Sequence, residues 1–471
     1  LVKREMGTDR RWQFHGKEFT AESISSLILR SLVDLVEDGP GKTPVVITVP
    51  AYFGAKEREA TRNAGEIANL EVLNLVPEPV AAALFYDAQA PLKGKNLLVY
   101  DLGGGTFDVT AVRGEDNVFD IVATDGDARL GGADWDRMLS EYLLDRFIEA
   151  TSDEEAEADE TFRLKLQEQA VACKEALSAA QAYTVRLASD TGSRAKIKVT
   201  REEFEQLTAP LLERTELCME RLFKQFEAKQ PGFEFDEVIL VGGSSRMAAV
   251  GDLVQRATGL IPRIFGPDLA IAKGAAISAT ISQLQVLAGK GADSAEAAVA
   301  EYARASGIDA AQLAALSTKK VLNVIPKAIG FKVYDSSTGE PFIDHVIAQN
   351  TTIPLVQTAC RHYLTLEDDQ QAVELTLYQQ ASDIASEDPA LNEVITGSEA
   401  RLLGIPALPK GQPIKIEVDV AGDGLITVQG THLPSGKSMT SNVRIGVMSE
   451  AEIAKAKESL KGMRVSTGDA C

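Results

Sequence analysis

The chain has 471 residues and a formal net charge of -21, so a single core cannot account for it and a basic nucleic-acid-binding surface is excluded. No run of about eighteen apolar residues occurs, so no segment reads as a membrane span. Cys173, Cys218, Cys360 and Cys471 lie far apart without CxxC or Cys/His spacing, a pattern of free thiols in a reducing compartment rather than a disulfide frame or a zinc site.

In chain order, the opening LVKREMG is followed by a helix over residues 21–37 with apolar residues at helical spacing. PVVITVP (44–50) is a β-branched run and reads as a buried strand. A helix over 55–68 and a short strand over 72–76 come next. PEPVAAALFYD (77–87) then places Glu78 at a strand-to-helix junction between two prolines. YDLGGGTFDVT (100–110) is the stretch the rest is organised around. Apolar Leu97, Leu98 and Val99 lead into it, and Phe107, Val109 and Ala111 alternate after it, so Gly103, Gly104 and Gly105 form a hairpin tip. Glycines there let backbone N–H groups approach an anion, and Asp101 with Thr106 suits a hard cation beside it. Taken alone, a triple glycine is equally a plain hairpin turn.

A third strand (118–124) leads to GDARLGGADWD, where Gly131 and Gly132 precede a helix beginning near Trp135. Those glycines fit either a helix-entry turn or phosphate donors at a helix N-terminus. The acidic run SDEEAEADE (152–160) reads as a solvated helix start. The helix running on to Ala180 puts Lys174 and Ser178 on one face. Strands over 184–187 and 195–199 precede a helix over 202–227, expected to break or kink at Pro210. DEVILVGGSSRM (236–247) is again strand, Gly242-Gly243 turn and helix, with Ser244 and Arg246 able to hold a nucleoside or to be an ordinary turn. GPDLAIAKGAAISA starts another helix.

Residues 286–318, rich in Ala, Gly, Ser and Asp, read as a linker or helical insert with one short helix over 295–305. Beyond them the period becomes two. AVELTL (372–377) and IKIEVDV (414–420) alternate, a DG turn falls at 423–424 and an SG turn at 435–436, and the whole predicts an all-β sandwich. A helix capped by Ser449 closes the pattern over 448–460.

These motifs, in this order, resemble the seventy-kilodalton heat-shock chaperones, DnaK-like proteins, over nearly the whole chain. VPAYF (49–53), EPVAAALFY (78–86), DLGGGTFDV (101–109), DARLGGADWD (127–136), VGGSSRM (241–247) and PDLAIAKGAA (267–276) look like that family's ATPase signatures. NTTIPL (350–355), LTLEDDQQAVEL (364–375) and the stretch 404–428 look like its peptide-binding sandwich. The resemblance implies an α/β actin-like (ribonuclease H-like) ATPase domain of two lobes over 1–285 and an insert and interdomain linker over 286–326. A β-sandwich substrate-binding domain over 327–446 and a lid-stub helix and tail over 447–471 would follow.

It also implies a stress-response chaperone that binds unfolded or extended polypeptides and hydrolyses ATP with Mg²⁺. J-domain co-chaperone and nucleotide exchange factor would be its partners, and the cytoplasm its expected place. Asp101 would hold Mg²⁺ through water and Thr106 would touch the γ-phosphate. Glu78 would act in the metal and water network, and Lys3 would orient the attacking water. Gly103 and Gly104 would donate N–H groups to phosphate oxygens, and Gly105, Gly131, Gly132 and Gly242 would also bind the nucleotide. Lys174, Ser178, Gly243, Ser244, Arg246 and Asp268 would surround the adenosine. Pro50 and Arg58 would relay between nucleotide and peptide, which Leu366, Val373 and Leu375 would contact.

The departures are local. The family's first phosphate loop precedes Lys3, so the chain reads as lacking its true start, and residues 1–471 alone are expected to bind ATP poorly. Val171 and Glu175 replace the family's usual adenine-clamp residues. TKKVLNVIP (318–326) replaces a leucine-rich linker, and YDSSTGEPFIDHVI (334–347) rewrites the loop over the peptide groove. The lid is one helix. A non-cycling holdase or exchange-factor-like scaffold is therefore the competing expectation.

Overall fold

A computed structural model describes residues 2–463 apart from 15, 36–42, 116, 290–294, 383, 396, 422–423, 444–449 and 461–462. The proposed Ser449 cap and Asp423 of the DG turn lie outside the described residues. The fold is mixed α/β and divides into two compact units. One comprises residues 82–114 and 125–273, the other residues 1–81, 115–124 and 274–471.

The 82–273 unit is built on the strand Lys95–Leu102, buried through most of its length. Phe107–Glu115 pairs with it antiparallel, closing the expected hairpin with Asp101 opposite Asp108. Glu237–Val241 lies on its other side, parallel, with Val241 opposite Asp101, and Arg263–Ile264 continues the sheet. The parallel pair Lys95–Leu102 and Glu237–Val241 is apolar on both faces over Leu97–Val99 and Val238–Val241, as a central parallel pair requires. The helices Gly132–Thr151 and Glu160–Ala179 pack together, joined by the ring pair Phe147–Phe162. The hairpin Ala182–Ala188 with Arg194–Thr200 follows.

The helix Arg201–Lys229 runs through Pro210, so of the break or kink expected there, the break does not occur. Its buried face, Phe204, Thr208, Leu211, Thr215, Cys218, Leu222 and Phe226, keeps helical spacing on both sides of the proline. Packing of that stripe outweighs the backbone bond that a proline removes.

In the other unit, Thr20 caps the helix Ala21–Asp34 by a reciprocal pair of bonds with Ser23. This helix packs on Ala55–Ile67, and the parallel strands Pro44–Val49 and Glu71–Pro77 lie beside them. The β half is a sandwich. One sheet holds Pro341–Ile347, Ile329–Tyr334, Leu377–Gln380 and Asn392–Val394 in that order. The other holds Ala359–Leu364, Pro413–Val420, Ile426–His432 and Lys437–Val443. Both feed one core that includes Phe331, Leu377, Ile416 and Val428. The stretch read as one strand over 372–377 is two, Ala372–Leu375 and Leu377–Gln380, which pair with different partners.

Three features of the 274–471 part departed from sequence reading. The insert holds a second helix, Ala310–Ser317, capped by Asp309 and packed through Leu313 against Leu284 and Val299. The segment read as a linker is the strand Lys320–Ile325, parallel to Val118–Asp120 and antiparallel to Thr351–Ile353. The last helix, Glu450–Ser459, packs on Ala55–Ile67, and Leu460 is buried beside Phe19 and Ile67.

Candidate functional site

Within the 82–273 unit, three glycine loops converge at the carboxyl ends of the parallel strands. The hairpin tip is tied by Gly103 N–H donating to Thr106 C=O at 3.0 Å. The second loop lies against it: Gly132 N–H donates to Gly103 C=O and Ala133 N–H to Gly104 C=O, both at 2.9 Å. Contact is backbone on backbone, since a Cβ on Gly131 would meet Gly105 C and N at 2.5–2.6 Å. Asp134 holds this loop by accepting from Gly131 N–H at 2.9 Å. On the opposite side Ser245 Oγ accepts from Leu102 N–H at 3.2 Å, tying the third loop to the first. Gly242 sits at φ 82°, a backbone region that favours glycine, and donates to Pro267 C=O at 3.2 Å.

Asp101 and Thr106 are each 4 % exposed, so the hairpin presents one buried carboxylate and one buried hydroxyl. Nothing stands within 4 Å of the Cβ position of Gly104, which leaves open space over the tip.

Beside the second and third loops stands a polar cluster. Lys174 Nζ is 2.7 Å from Asp136 and donates to Gly132 C=O at 3.2 Å. Burial pushes the Asp136 carboxyl above its ordinary range, and the Lys174 ammonium works against that shift. A side chain at Gly132 would collide with Ser244 Oγ, so Gly132, Lys174 and Ser244 share one small space. Arg246 makes a two-pronged pair with Asp268, one arm at 2.9 Å. The pair holds the Asp268 carboxyl below its usual range. Ser178 Oγ turns back to Lys174 C=O at 3.2 Å.

The loops are anchored from behind. Arg221 pairs with Asp125 at 2.6 Å and Arg214 with Asp127 at 2.5 Å, fixing the helix Arg201–Lys229 to the strand that leads into the second loop. Sequence reasoning missed Asp134, Asp136 and Ser245. Asp134 and Asp136 lay inside a motif already singled out, and the helix start at Gly132 rather than Trp135 was the detail that would have drawn attention to them.

In the other unit, Lys3 Nζ donates to Glu78 Oε1 at 2.7 Å, joining the first turn of the chain to the start of the helix Glu78–Asp87. Arg58 donates to Phe53 C=O at 2.9 Å and to Ala51 C=O at 3.4 Å, closing the turn that follows Pro50. Leu366 is 55 % exposed, Val373 is half-buried, and Leu375 at 2 % belongs to the sandwich core. Back in the 82–273 unit, Val171, one of the departures, is partly exposed, and the charged form of Arg246 is favoured first by its bond to Asp268 and to a lesser degree by Glu175.

Glycine loops rising from the carboxyl ends of parallel strands are where α/β proteins hold nucleotide phosphates, so the fold and site define a phosphate-binding α/β protein joined to a β-sandwich. The chain belongs to the Hsp70 family: the model described as Hsp70 protein matches residues 2–295 and 296–466. It is similar to the Chaperone protein DnaK of Mesomycoplasma hyopneumoniae (strain 232), with 33% identity over 464 residues, 96% of this chain and 70% of that one. The Chaperone protein DnaK of Mycoplasmopsis pulmonis (strain UAB CTIP) matches with the same identity and coverage. The chain is accordingly an ATP-dependent chaperone and an ATPase, and the non-cycling reading is not favoured. Among the described residues, no helix is long and apolar enough to cross a membrane.

Proposed function

We propose that the three convergent loops bind Mg·ATP and that its hydrolysis drives a cycle of binding and release of extended apolar polypeptide. The observation that carries this reading is the stacking of loop on loop, Gly132 to Gly103 and Ala133 to Gly104 at 2.9 Å, beside the buried carboxylate Asp101. Gly104 offers its N–H group to phosphate oxygens, Gly103 N–H being taken by Thr106 C=O, and Gly105, Gly131, Gly132 and Gly242 line the approach. Lys174, Ser178, Gly243, Ser244, Arg246 and Asp268 take the adenosine.

The residues fit Mg²⁺ in the manner usual for that ion, which keeps several waters and leans on one or two carboxylates plus phosphate. Among the described residues no cluster of three or more His, Cys, Asp or Glu side chains could cage a metal, and Asp101 with Thr106 is the donor set at the hairpin. When bound, the ion would neutralise charge on the phosphoryl oxygens. Thr106 contacts the γ-phosphate, Glu78 orders the water network, and Lys3 orients the water for in-line attack. Catalysis is positioning and charge stabilisation.

The ATPase domain, of actin-like two-lobed form, spans 1–285, and the insert and linker span 286–326. The substrate-binding sandwich spans 327–446, where Leu366 and Val373 meet peptide and Leu375 supports them from the core. Residues 447–471 form the lid stub and tail. Pro50 and Arg58 relay between the two sites through the turn that Arg58 holds. Partners are unfolded polypeptides, a J-domain co-chaperone and a nucleotide exchange factor, acting in the cytoplasm. Single-turnover ATP hydrolysis by the full-length protein, with and without peptide, tests the proposal. Slow Mg-dependent turnover raised by peptide supports it, and tight nucleotide binding without turnover would replace it with the scaffold reading.

A further inference from the structure

We infer that the 1–81/115–124/274–471 unit carries a second small-molecule site, one for a single-chain carboxylate amphiphile of about eight carbons. The site is a cavity of about 250 Å³ under the strand Lys320–Ile325. At roughly 30 Å³ per methylene-sized group, about eight carbons fill it. Its walls are apolar in part and polar in part; the apolar part is Phe53 before the helix Ala55–Ile67, Leu75 from the strand Glu71–Pro77, and Ile353 and Leu425 from the β half.

Its polar lining is unbalanced. Arg58, Arg62 and Lys327 face it against one carboxylate, Glu59. Lys327 is already paired with Glu57 at 3.2 Å. Arg62 is held loosely, 3.5 Å from Val72 C=O and 4.0 Å from Glu59, with its side chain 27% exposed. A guanidinium so placed, at the margin of an apolar chamber, can take a ligand carboxylate by two parallel bonds. Asn323 gives a second polar contact. Its Oδ1 is buried in this wall without a hydrogen-bond partner, and a half-turn of the amide puts Nδ2 there as a donor. An apolar body with one anionic head matches both halves of the lining. A neutral or cationic head matches only the apolar half.

Occupancy would brace the strand Lys320–Ile325 from beneath, because Asn323, Val324 and Ile325 form one wall. The strand's other partners are Val118–Asp120 and Thr351–Ile353. The inference does not depend on nucleotide binding.

The test is calorimetric titration of the full chain with hexanoate, octanoate and decanoate below their micelle concentrations, beside 1-octanol. The expected result is one saturable site, with affinity rising about fourfold per methylene from hexanoate to octanoate and levelling once the chamber is full. Octanol binds at least about tenfold more weakly, and Arg62→Leu brings octanoate down by a similar factor. Leu425→Trp, which fills the chamber, abolishes binding while circular dichroism shows the fold intact. If Leu425→Trp fails to fold, Arg62→Lys serves instead and retains part of the affinity. Octanol as tight as octanoate, full affinity in Arg62→Leu, or displacement of octanoate by an excess of extended apolar heptapeptide would each overturn the inference. Absence of saturable binding at millimolar octanoate would do the same.

Discussion

Asp101 Oδ1 lies 2.6 Å from the point where a side chain on Gly242 would begin, so the carboxylate of one loop occupies the room that the glycine of another leaves vacant. The parallel pairing of Val241 with Asp101 forces the approach, and the left-handed backbone at Gly242 makes it possible. Gly242→Ala therefore meets both a clash and a strained φ. It should destabilise the unit by about 1–3 kcal/mol and abolish nucleotide binding. Urea denaturation and a fluorescent-nucleotide titration check this. An unchanged midpoint would show that the loops are not in contact.

Arg221 and Asp125 form an ion pair in which the carboxylate is almost wholly enclosed, with side-chain exposures of 22 % and 4 %. Arg221→Met strands that charge and should cost about 3–5 kcal/mol. The double change Arg221→Met with Asp125→Asn should recover much of the loss, because the uncompensated charge is then gone. A single variant as stable as the parent would remove the anchoring role.

Burial raises the Cys173 thiol to about 11. The folded state thus keeps its proton over a range where the unfolded chain, with an ordinary thiol value of 9.0, has lost it. For a raised pKa the stabilisation is complete below the unfolded value and is lost as pH climbs through the folded one. Stability should therefore decline from about pH 9 to 11 through this group, and Cys173→Ala should flatten that part of the curve. Cys173 and Cys218 are buried and Cys360 is exposed, so alkylation near pH 8 should mark Cys360 and spare the other two until denaturant is added. Early labelling of Cys173 would contradict the packing of the helix Glu160–Ala179.

The strand Lys320–Ile325 buries Val324 and Ile325, while Val321 and Leu322 are half-buried. That is a modest apolar contact with which to bias two states, at about 1.5–3 kcal/mol for each fully buried side chain. Peptide should consequently leave the full-length protein less than about a hundredfold faster with ATP than with ADP. Stopped-flow release of a labelled peptide measures the ratio, and a larger value would mean that another surface carries the coupling.

Much of the site was legible because its logic is local. Three glycines after an apolar strand mark a hairpin, and a Gly-Gly after VILV marks a second loop at a strand end. That both loops would lie side by side was not legible, since pairing of Glu237–Val241 with Lys95–Leu102 joins segments far apart in sequence. Lys3–Glu78 and Lys174–Asp136 were hidden for the same reason. The strand at 320–325 was read as a linker because its segment stands where the resemblance places one, and Lys320 and Asn323 among its apolar residues leave no strand period to see. Its β form comes from the partners Val118–Asp120 and Thr351–Ile353, not from its own composition. At Pro210 the helix is not broken because its buried stripe continues on both sides.

Hydrolysis of Mg·ATP at the hairpin of Asp101 and Thr106 is measured by single-turnover ATP hydrolysis in the full-length protein and its Asp101→Asn and Thr106→Ala variants. Each change should slow the chemical step at least about tenfold, about 1.4 kcal/mol of barrier, while the sandwich still binds peptide. Unchanged turnover in both variants would contradict the account, since hydrolysis would then proceed without the carboxylate and hydroxyl that the hairpin presents.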